Sequence, residues 1–262
     1  VTLDDAALAT QLVRAAGALA ARMLAEGLET QHKTSVSDVV SAADFAAEKL
    51  IVDRLADERP GDGLVGEEGA RRSGDRTWYI DPVDGTYNFL SGIPVWCSAL
   101  GLVDGEGPVL GAVYHPSMDE LWLGGRDLPT TCNGQPVPQL DPRPLAELSL
   151  ASYLHPARMG RDELRQPWLS ALSGAATMRS LGSGSVELAS VAAGRLGAFL
   201  QAGPSPWDWF PGVALVRAAG GVAEVIEHRG QSWHVAGNPQ AVEDIRSALL
   251  SGCCDRPPGP RQ

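Results

Sequence analysis

The sequence predicts an α/β protein, and two observations carry that expectation. Apolar residues recur at steps of three to four over 4–26, and 41–55 also reads as a helix. Between and beyond these stretches lie short apolar runs closed by glycine, proline and acidic clusters, which read as strands. The two kinds of segment alternate, as they do in α/β architectures. With 262 residues and 44 % apolar content, the chain can bury a full core as one large domain or two closely joined halves.

Each element has its own signal. Leu8, Leu12, Ala16, Leu19 and Met23 form the inward stripe of the first helix, and a polar break at 29–37 separates it from the second, which has Ala43 and Asp44 at its start. A carboxylate there suits the positive end of a helix, with or without a further role. Glu58-Arg59-Pro60-Gly61-Asp62-Gly63 is a turn cluster feeding a strand over 64–67, and 78–80 is the next strand. Strands over 98–103 and 109–115 flank Asp104-Gly105-Glu106-Gly107-Pro108 as a hairpin, and 120–123 adds another. The proline-rich stretch 129–144 is expected to join an N-terminal half, residues 1–140, to a C-terminal half, residues 141–252. In the second half we expect a strand over 148–153 and a helix over 185–194 with Val186, Leu188, Ala189, Val191 and Ala192 inward. A strand over 196–201 and a buried helix over 210–219 follow, the helix ended by Gly220-Gly221 in a left-handed cap. Residues 253–262, with three prolines, are expected to be a disordered tail.

Charge and cysteine usage exclude several functions. A formal charge of −11 without a lysine-rich run disfavours nucleic acid or an anionic membrane as partner. The cysteines, at 97, 132, 253 and 254, lack metal-type spacing and predict no disulfide framework, which fits a reducing compartment. Asp4 and Asp5 stand where a signal peptide needs basic residues, and no apolar run approaches the roughly 18 residues of a membrane span. The expectation is a soluble, cytoplasmic protein. The histidines, at 32, 115, 155, 228 and 234, are scattered and read as surface or turn residues rather than ligands.

The chemistry concentrates in Trp78-Tyr79-Ile80-Asp81-Pro82-Val83-Asp84-Gly85-Thr86. Asp81 and Asp84 flank a proline whose φ is fixed and whose N–H is missing, so a stiff turn brings two carboxylates and the Val83 carbonyl to one place. Hard oxygen ligands of this kind suit magnesium or manganese rather than zinc. Gly85 allows close backbone approach, and Thr86 supplies a hydroxyl and an N–H at a helix start, where an anion is favoured. Gly66-Glu67-Glu68 upstream and Pro206-Trp207-Asp208 downstream are two further acidic elements.

These parts, in this order, resemble the inositol monophosphatase family, the magnesium-dependent, lithium-sensitive phosphomonoesterases. The resemblance runs over 33–250: Lys33, Asp38-Val39-Val40-Ser41 and Asp44, the Gly-Glu-Glu triplet, the Asp81–Thr86 signature with Asn88-Phe89, Gly182-Ser183-Gly184, Trp207-Asp208 and Ala219-Gly220-Gly221. It implies the layered αβαβα sugar-phosphatase fold, a homodimer, a small phosphate monoester as substrate, and two to three magnesium ions, with manganese a possible substitute. It also implies ligands. Glu67, Asp81 and the Val83 carbonyl would hold one ion; Asp81, Asp84 and Asp208 a second; Glu67 would help hold a third. Thr86, paired with Asp44, would orient and deprotonate the attacking water. Asp84, Gly85, Thr86, Gly182, Ser183, Gly184, Gln201 and Asp208 would meet the substrate, with Lys33 and Glu68 behind the ligands.

The charge arithmetic agrees with a need for metal. Glu67, Asp81, Asp84 and Asp208 would repel a phosphate monoester, which itself carries about −1.5 to −2 charge near neutrality, unless dications reverse the sign of the site. Ser183, in a Gly-Ser-Gly string, has no histidine that spacing pairs with it, so a serine hydrolase is disfavoured.

The resemblance breaks on the leaving-group side. Where inositol-directed members place a glutamate, seven positions before the Trp-Asp aspartate, this chain has Gln201; Gly197 replaces a frequent aspartate, and Pro204-Ser205-Pro206 stiffens the approach to Trp207. Inositol 1-phosphate is the favoured substrate, on the Leu181-Gly182-Ser183-Gly184-Ser185 string. Histidinol phosphate is the alternative, on the Arg59–Gly63 approach to Gly-Glu-Glu, although an amide at 201 lacks the charge that would attract an ammonium. Adenosine 3′,5′-bisphosphate and fructose 1,6-bisphosphate are disfavoured for want of a second basic cluster. A non-catalytic regulatory protein on the same fold is the third reading.

Overall fold

The structure is a computed structural model that describes residues 4–27, 30–32 and 39–251. Helix α1 (Asp5–Glu26) is capped by the Asp4 side chain and buries Leu8, Ala9, Leu12, Val13, Ala16 and Ala20. Leu19 and Met23, expected inward, are half-buried, and Met23 packs against the cluster of Ala20, Ala43, Val83, Phe89 and Trp96. Strands β1 (Thr30–His32) and β2 (Val39–Ser41) pair antiparallel. Helix α2 (Ala42–Glu58) begins with a capping box between Ser41 and Asp44, which satisfies backbone donors the first turn would leave unpaired.

Strands β3 (Gly63–Gly66), β4 (Arg71–Arg72) and β5 (Thr77–Asp84) precede the short helix α3 (Thr86–Leu90). Strands β6 (Cys97–Asp104), β7 (Gly107–His115), β8 (Glu120–Gly125), β9 (Leu128–Cys132) and β10 (Gln135–Pro136) then extend one mixed eight-stranded sheet in the order β10-β9-β8-β7-β6-β5-β3-β4. The proline-rich stretch expected as a join therefore contributes β9 and β10 to this sheet.

The second sheet has five strands in the order β12-β11-β13-β15-β14, from β11 (Ser149–Tyr153), β12 (Thr177–Arg179), β13 (Ala198–Ala202), β14 (Val222–His228) and β15 (Gln231–Gly237). Its helices are α4 (Asp162–Leu172), α5 (Gly184–Ala192), α6 (Pro206–Ala218) and α7 (Pro239–Leu250).

Five layers result: α1 and α2, the large sheet, α5 and α6, the small sheet, and α4 with α7. The middle helices are apolar on nearly every side because they are covered from both directions. Packing there is close. A Cβ at Gly111 of β7 would lie 2.0 Å from the Pro211 carbonyl oxygen of α6, so only glycine admits the helix at this depth. Gly220, at φ +83°, follows α6 in the left-handed conformation its sequence predicted. Lys33, Asp38 and the tail from Cys253 lie outside the described residues.

Candidate metal and phosphate site

Strand β3 ends alongside parallel β5 just before Asp81: Gly66 pairs with Ile80, and Glu67 N–H donates to the Ile80 carbonyl at 3.1 Å. Strand β5 does not turn at Asp81-Pro82. It runs on to Asp84, with Asp81 opposite Ala99 and Asp84 opposite Cys97 of β6, so one extra residue is taken up as a bulge. In a regular strand, residues three apart point to opposite faces. The bulge cancels that alternation and lets both aspartates face one cavity, and Ser98 Oγ fixes it by donating to the Pro82 carbonyl at 2.6 Å. The expected stiff turn is thus a bulged strand, with proline where the ladder needs no donor.

Asp208 arrives from the start of α6, which follows β13 of the five-stranded sheet. Pro206 opens α6 with no N–H to satisfy, and Asp208 accepts the Ser205 N–H at 3.2 Å, which fixes the carboxylate at the helix start. Asp81, Asp84 and Asp208 offer carboxylate oxygens that all lie within 4.8 Å of one another. Asp81 Oδ1 is buried and has no hydrogen-bond partner among the described residues. A buried, unpaired oxygen beside two other carboxylates is costly unless a cation meets it, so the donor set fits a hard divalent ion. Glu67 is outside this tightest set, yet its charge is the first of the neighbouring charges that raise the Asp81 pKa.

Burial first, and then mutual repulsion, pushes Asp81 well above the usual carboxylate range; burial and the Asp84 charge push Asp208 up to about 7. Asp84 is raised by burial, against hydrogen bonds from the N–H groups of Ser185 and Gly184 at the start of α5. Asp44 is fully buried. It accepts the N–H and hydroxyl of Ser41 at 2.9 and 2.5 Å and lies 3.1 Å from Thr86 Oγ1, so helix capping and the pairing with Thr86 hold together. Thr86 Oγ1 is also 3.0 Å from the Val83 carbonyl. A hydroxyl has one proton for these two acceptors, which leaves its direction to be set by whatever else draws on the Val83 oxygen.

Gly85, between bulge and helix, has φ +97°, and an added Cβ would lie 3.1 Å from the carbonyls of Gly182 and Val95. The Gly182–Gly184 string therefore abuts the signature. Asn88 joins them, donating to Val95 and Leu181 carbonyls at 2.8 and 2.7 Å. Ser183 is the N-cap of α5, accepting Val186 N–H, which is a structural task. Trp207 is half-buried rather than in the core; the buried neighbour is Trp209. Gln201 stands in a row with Tyr153 of β11 and His234 of β15. Strand alternation puts this row on the same face as Ala151, Phe199 and Ala236, toward α6, and the His234 ring meets Trp209 at 4.9 Å.

Two further carboxylates, Glu48 and Glu187, are buried beside the site. Glu48, one turn beyond Asp44 on α2, accepts the N–H groups of Glu68 and Ala70 at 2.8 and 3.0 Å and so holds the Glu67 turn from beneath. A Cβ at Gly66 would lie 2.2 Å from Glu48 Oε2, so Gly66 makes room for it. Glu187 accepts Leu181 N–H and is pushed up to about 7 by burial. Their signal was a charged residue on an inward helical face. Among the histidines, His115 is buried, yet it serves a turn, its Nδ1 accepting Met118 N–H.

The inositol monophosphatase family model matches residues 4–249. Fructose-1,6-bisphosphatase/inositol-1-monophosphatase of Aquifex aeolicus is 33 % identical over 222 residues, 83 % of each chain. Inositol-1-monophosphatase of Bacillus subtilis is 31 % identical over 259 residues, 93 % of this chain and 95 % of that one. The crystal structure of extragenic suppressor protein suhB from Bartonella henselae superposes with a TM-score of 0.84 at 28 % identity, covering 93 % of this chain and 97 % of that chain. In sequence over nearly its full described length, and in its two mixed sheets with flanking helices, the chain belongs to the inositol monophosphatase family of metal-dependent phosphatases.

Proposed function

We propose that the protein is a magnesium-dependent phosphomonoesterase that hydrolyses a small polyol phosphate, with inositol 1-phosphate as its substrate. The observation that carries this reading is the unpartnered Asp81 oxygen inside the Asp81, Asp84 and Asp208 cluster. In the proposal Asp81, Asp84, Asp208, Glu67 and the Val83 carbonyl hold two to three magnesium ions, or manganese in their place. When bound, the ions supply charge neutralisation for phosphate and activation of water near neutral pH.

The chain's own groups do the rest. Asp44 takes the Thr86 hydroxyl proton as hydrogen-bond acceptor, which leaves Thr86 Oγ1 with a lone pair to orient water for in-line attack. The N–H groups of Gly85 and Thr86 face the phosphate, and Gly182, Ser183 and Gly184 shape the leaving-group wall with Asp84 and Asp208. Gln201, Tyr153 and a His234 held neutral by burial form a hydrogen-bonding row without net charge, which suits a polyol better than an ammonium-bearing alcohol. Glu68 supports the site through its N–H to Glu48, and Lys33 is assigned the same supporting role from the resemblance.

Histidinol phosphate is the less favoured substrate. The Arg59–Gly63 stretch that argued for it has a structural job: Asp62 binds Arg76 and the Trp78 indole, and Arg59 pairs with Asp5. Cytoplasmic residence, a homodimer and lithium sensitivity are carried in this proposal from the resemblance.

Phosphate release from inositol 1-phosphate and histidinol phosphate, each with magnesium, with EDTA, and with added lithium, tests the reading. Magnesium-dependent release that favours inositol 1-phosphate is expected. Preference for histidinol phosphate would replace the substrate assignment, and no release from any small monoester would leave the regulatory reading in its place.

A further inference from the structure

Glu67 and Asp208 come from elements that share no strand pairing, one from the end of β3 in the large sheet and the other from α6 after the small sheet. Something must fix the distance between them if both are to serve one set of cations. Arg71, the first residue of β4, lies between them. Its Nη1 donates to the Gly66 carbonyl and, at 2.7 Å, to the Ala70 carbonyl, so one nitrogen spans the turn that carries Glu67. The same guanidinium sits 5.5 Å from the ring centroid of Trp207, the residue before Asp208.

We propose that Arg71 and Trp207 form a clasp that sets the spacing of the Glu67 turn against the Asp208 helix, making Arg71 a positioning residue for cation binding. The inference rests on the proposed role of the acidic cluster. Arg71 forms no ion pair among the described residues, whereas Arg59, Arg76, Arg126, Arg195 and Arg246 each hold a carboxylate. Its Nη1 donates to two backbone carbonyls while its face lies over an indole, and it is this planar stacking that a lysine ammonium does not reproduce. Glu48 already anchors the turn to α2, and Arg71 ties the same turn to the start of α6. Trp207 is half-buried, and the stack with Arg71 gives its ring a task.

The test measures manganese binding by electron paramagnetic resonance without substrate, together with the magnesium concentration that half-activates phosphate release. Arg71→Ala, Arg71→Lys, Trp207→Phe, Trp207→Ala and the double alanine variant are compared, with thermal melting as the control for folding. Arg71→Ala and Trp207→Ala should each weaken manganese binding about fivefold, with excess magnesium restoring turnover. The double variant should be no weaker than either single one, and Trp207→Phe should keep most of the affinity while Arg71→Lys recovers little. Unchanged manganese affinity in Arg71→Ala, or losses that multiply in the double variant, overturns the clasp. A wild-type protein that neither binds manganese nor responds to magnesium instead sinks the metal reading beneath it, so the two failures are distinct.

Discussion

Asp208 is under opposed demands: it must be ionised to hold a cation, yet burial and the Asp84 charge raise its pKa to about 7 in the protein alone. Replacing it with an isosteric amide separates the two. Asp208→Asn should lower turnover of inositol 1-phosphate by about a hundredfold or more, since a hard ligand and its charge are lost. In EDTA the same variant should melt a few degrees higher than wild type at about pH 8, because one buried like charge has been removed. Phosphate release and melting curves on one preparation check both; a variant that is fully active, or less stable without metal, refutes the assignment. Thr86 is a different kind of residue, since its hydroxyl touches Asp44 and the Val83 carbonyl. Thr86→Ala should reduce kcat about a hundredfold while KM changes by less than about twofold, because orienting water matters in the transition state. Michaelis kinetics decide it, and a change confined to KM removes Thr86 from the water-activating role.

At the scale of elements, the site is made by termini: the end of β3, the bulged end of β5, and the starts of α5 and α6. The Arg59–Gly63 turn holds β5 in place from the far side, through Asp62 to Arg76 and Trp78 and through Arg59 and Arg76 to Asp5 at the start of α1. Asp62→Ala should cost about 2 kcal/mol, by leaving the buried Trp78 N–H unpaired and Arg76 half-compensated, while kcat/KM for either substrate stays within about twofold of wild type. Urea unfolding with parallel kinetics measures both, and a switch in substrate preference would return that turn to the leaving-group site. This turn, the helices α1, α2, α5 and α6, and the β6–β7 hairpin were legible because local period and turn chemistry agree with the fold. The bulge in β5 was not: Asp81-Pro82 reads locally as a turn, and only the Ser98 hydroxyl and the β6 ladder keep it extended. The β14–β15 hairpin turns on Arg229 and Gly230, at φ +51° and +70°, without the Asn-Gly or Asp-Gly pair that marks such turns in sequence. Helix α4 carries Pro167 within it, which masks its helical signal, whereas Asn238-Pro239 ahead of Val242, Ile245 and Leu249 is a usable start signal for α7. Within the site, Asp81, Asp84 and Asp208 were readable from motif spacing, but Glu48, Glu187 and Arg71 were not, since their partners are backbone atoms and a ring that only the fold brings near.

For the molecule as a whole, a chain of formal charge −11 gathers buried carboxylates where its two sheets meet through α5 and α6, and the cost appears as a dependence of stability on pH and metal. Burial raises Asp208 and Glu187 each to about 7, from ordinary values of 3.8 and 4.5, and raises Asp81, Asp84 and Asp44 in the same direction. A raised carboxylate pKa means the folded state keeps a proton the unfolded chain has already released. Its stabilising contribution is complete below the unfolded pKa, about 4, and is lost as pH rises through the folded value, about 7. In EDTA the thermal midpoint should therefore fall between about pH 5 and pH 8. Saturating magnesium favours the ionised ligands, so it should raise the midpoint most at the alkaline end and flatten the slope. Glu187 provides an internal standard. Its partners are the backbone N–H groups of Leu181 and Gly182, and Asp84 acts on it only through charge, so magnesium cannot take over its compensation. The slope that survives in magnesium should shrink further in Glu187→Gln, whereas a midpoint in EDTA that climbs from pH 5 to pH 8 would mean that the acidic cluster is not the buried, proton-holding site described by its geometry.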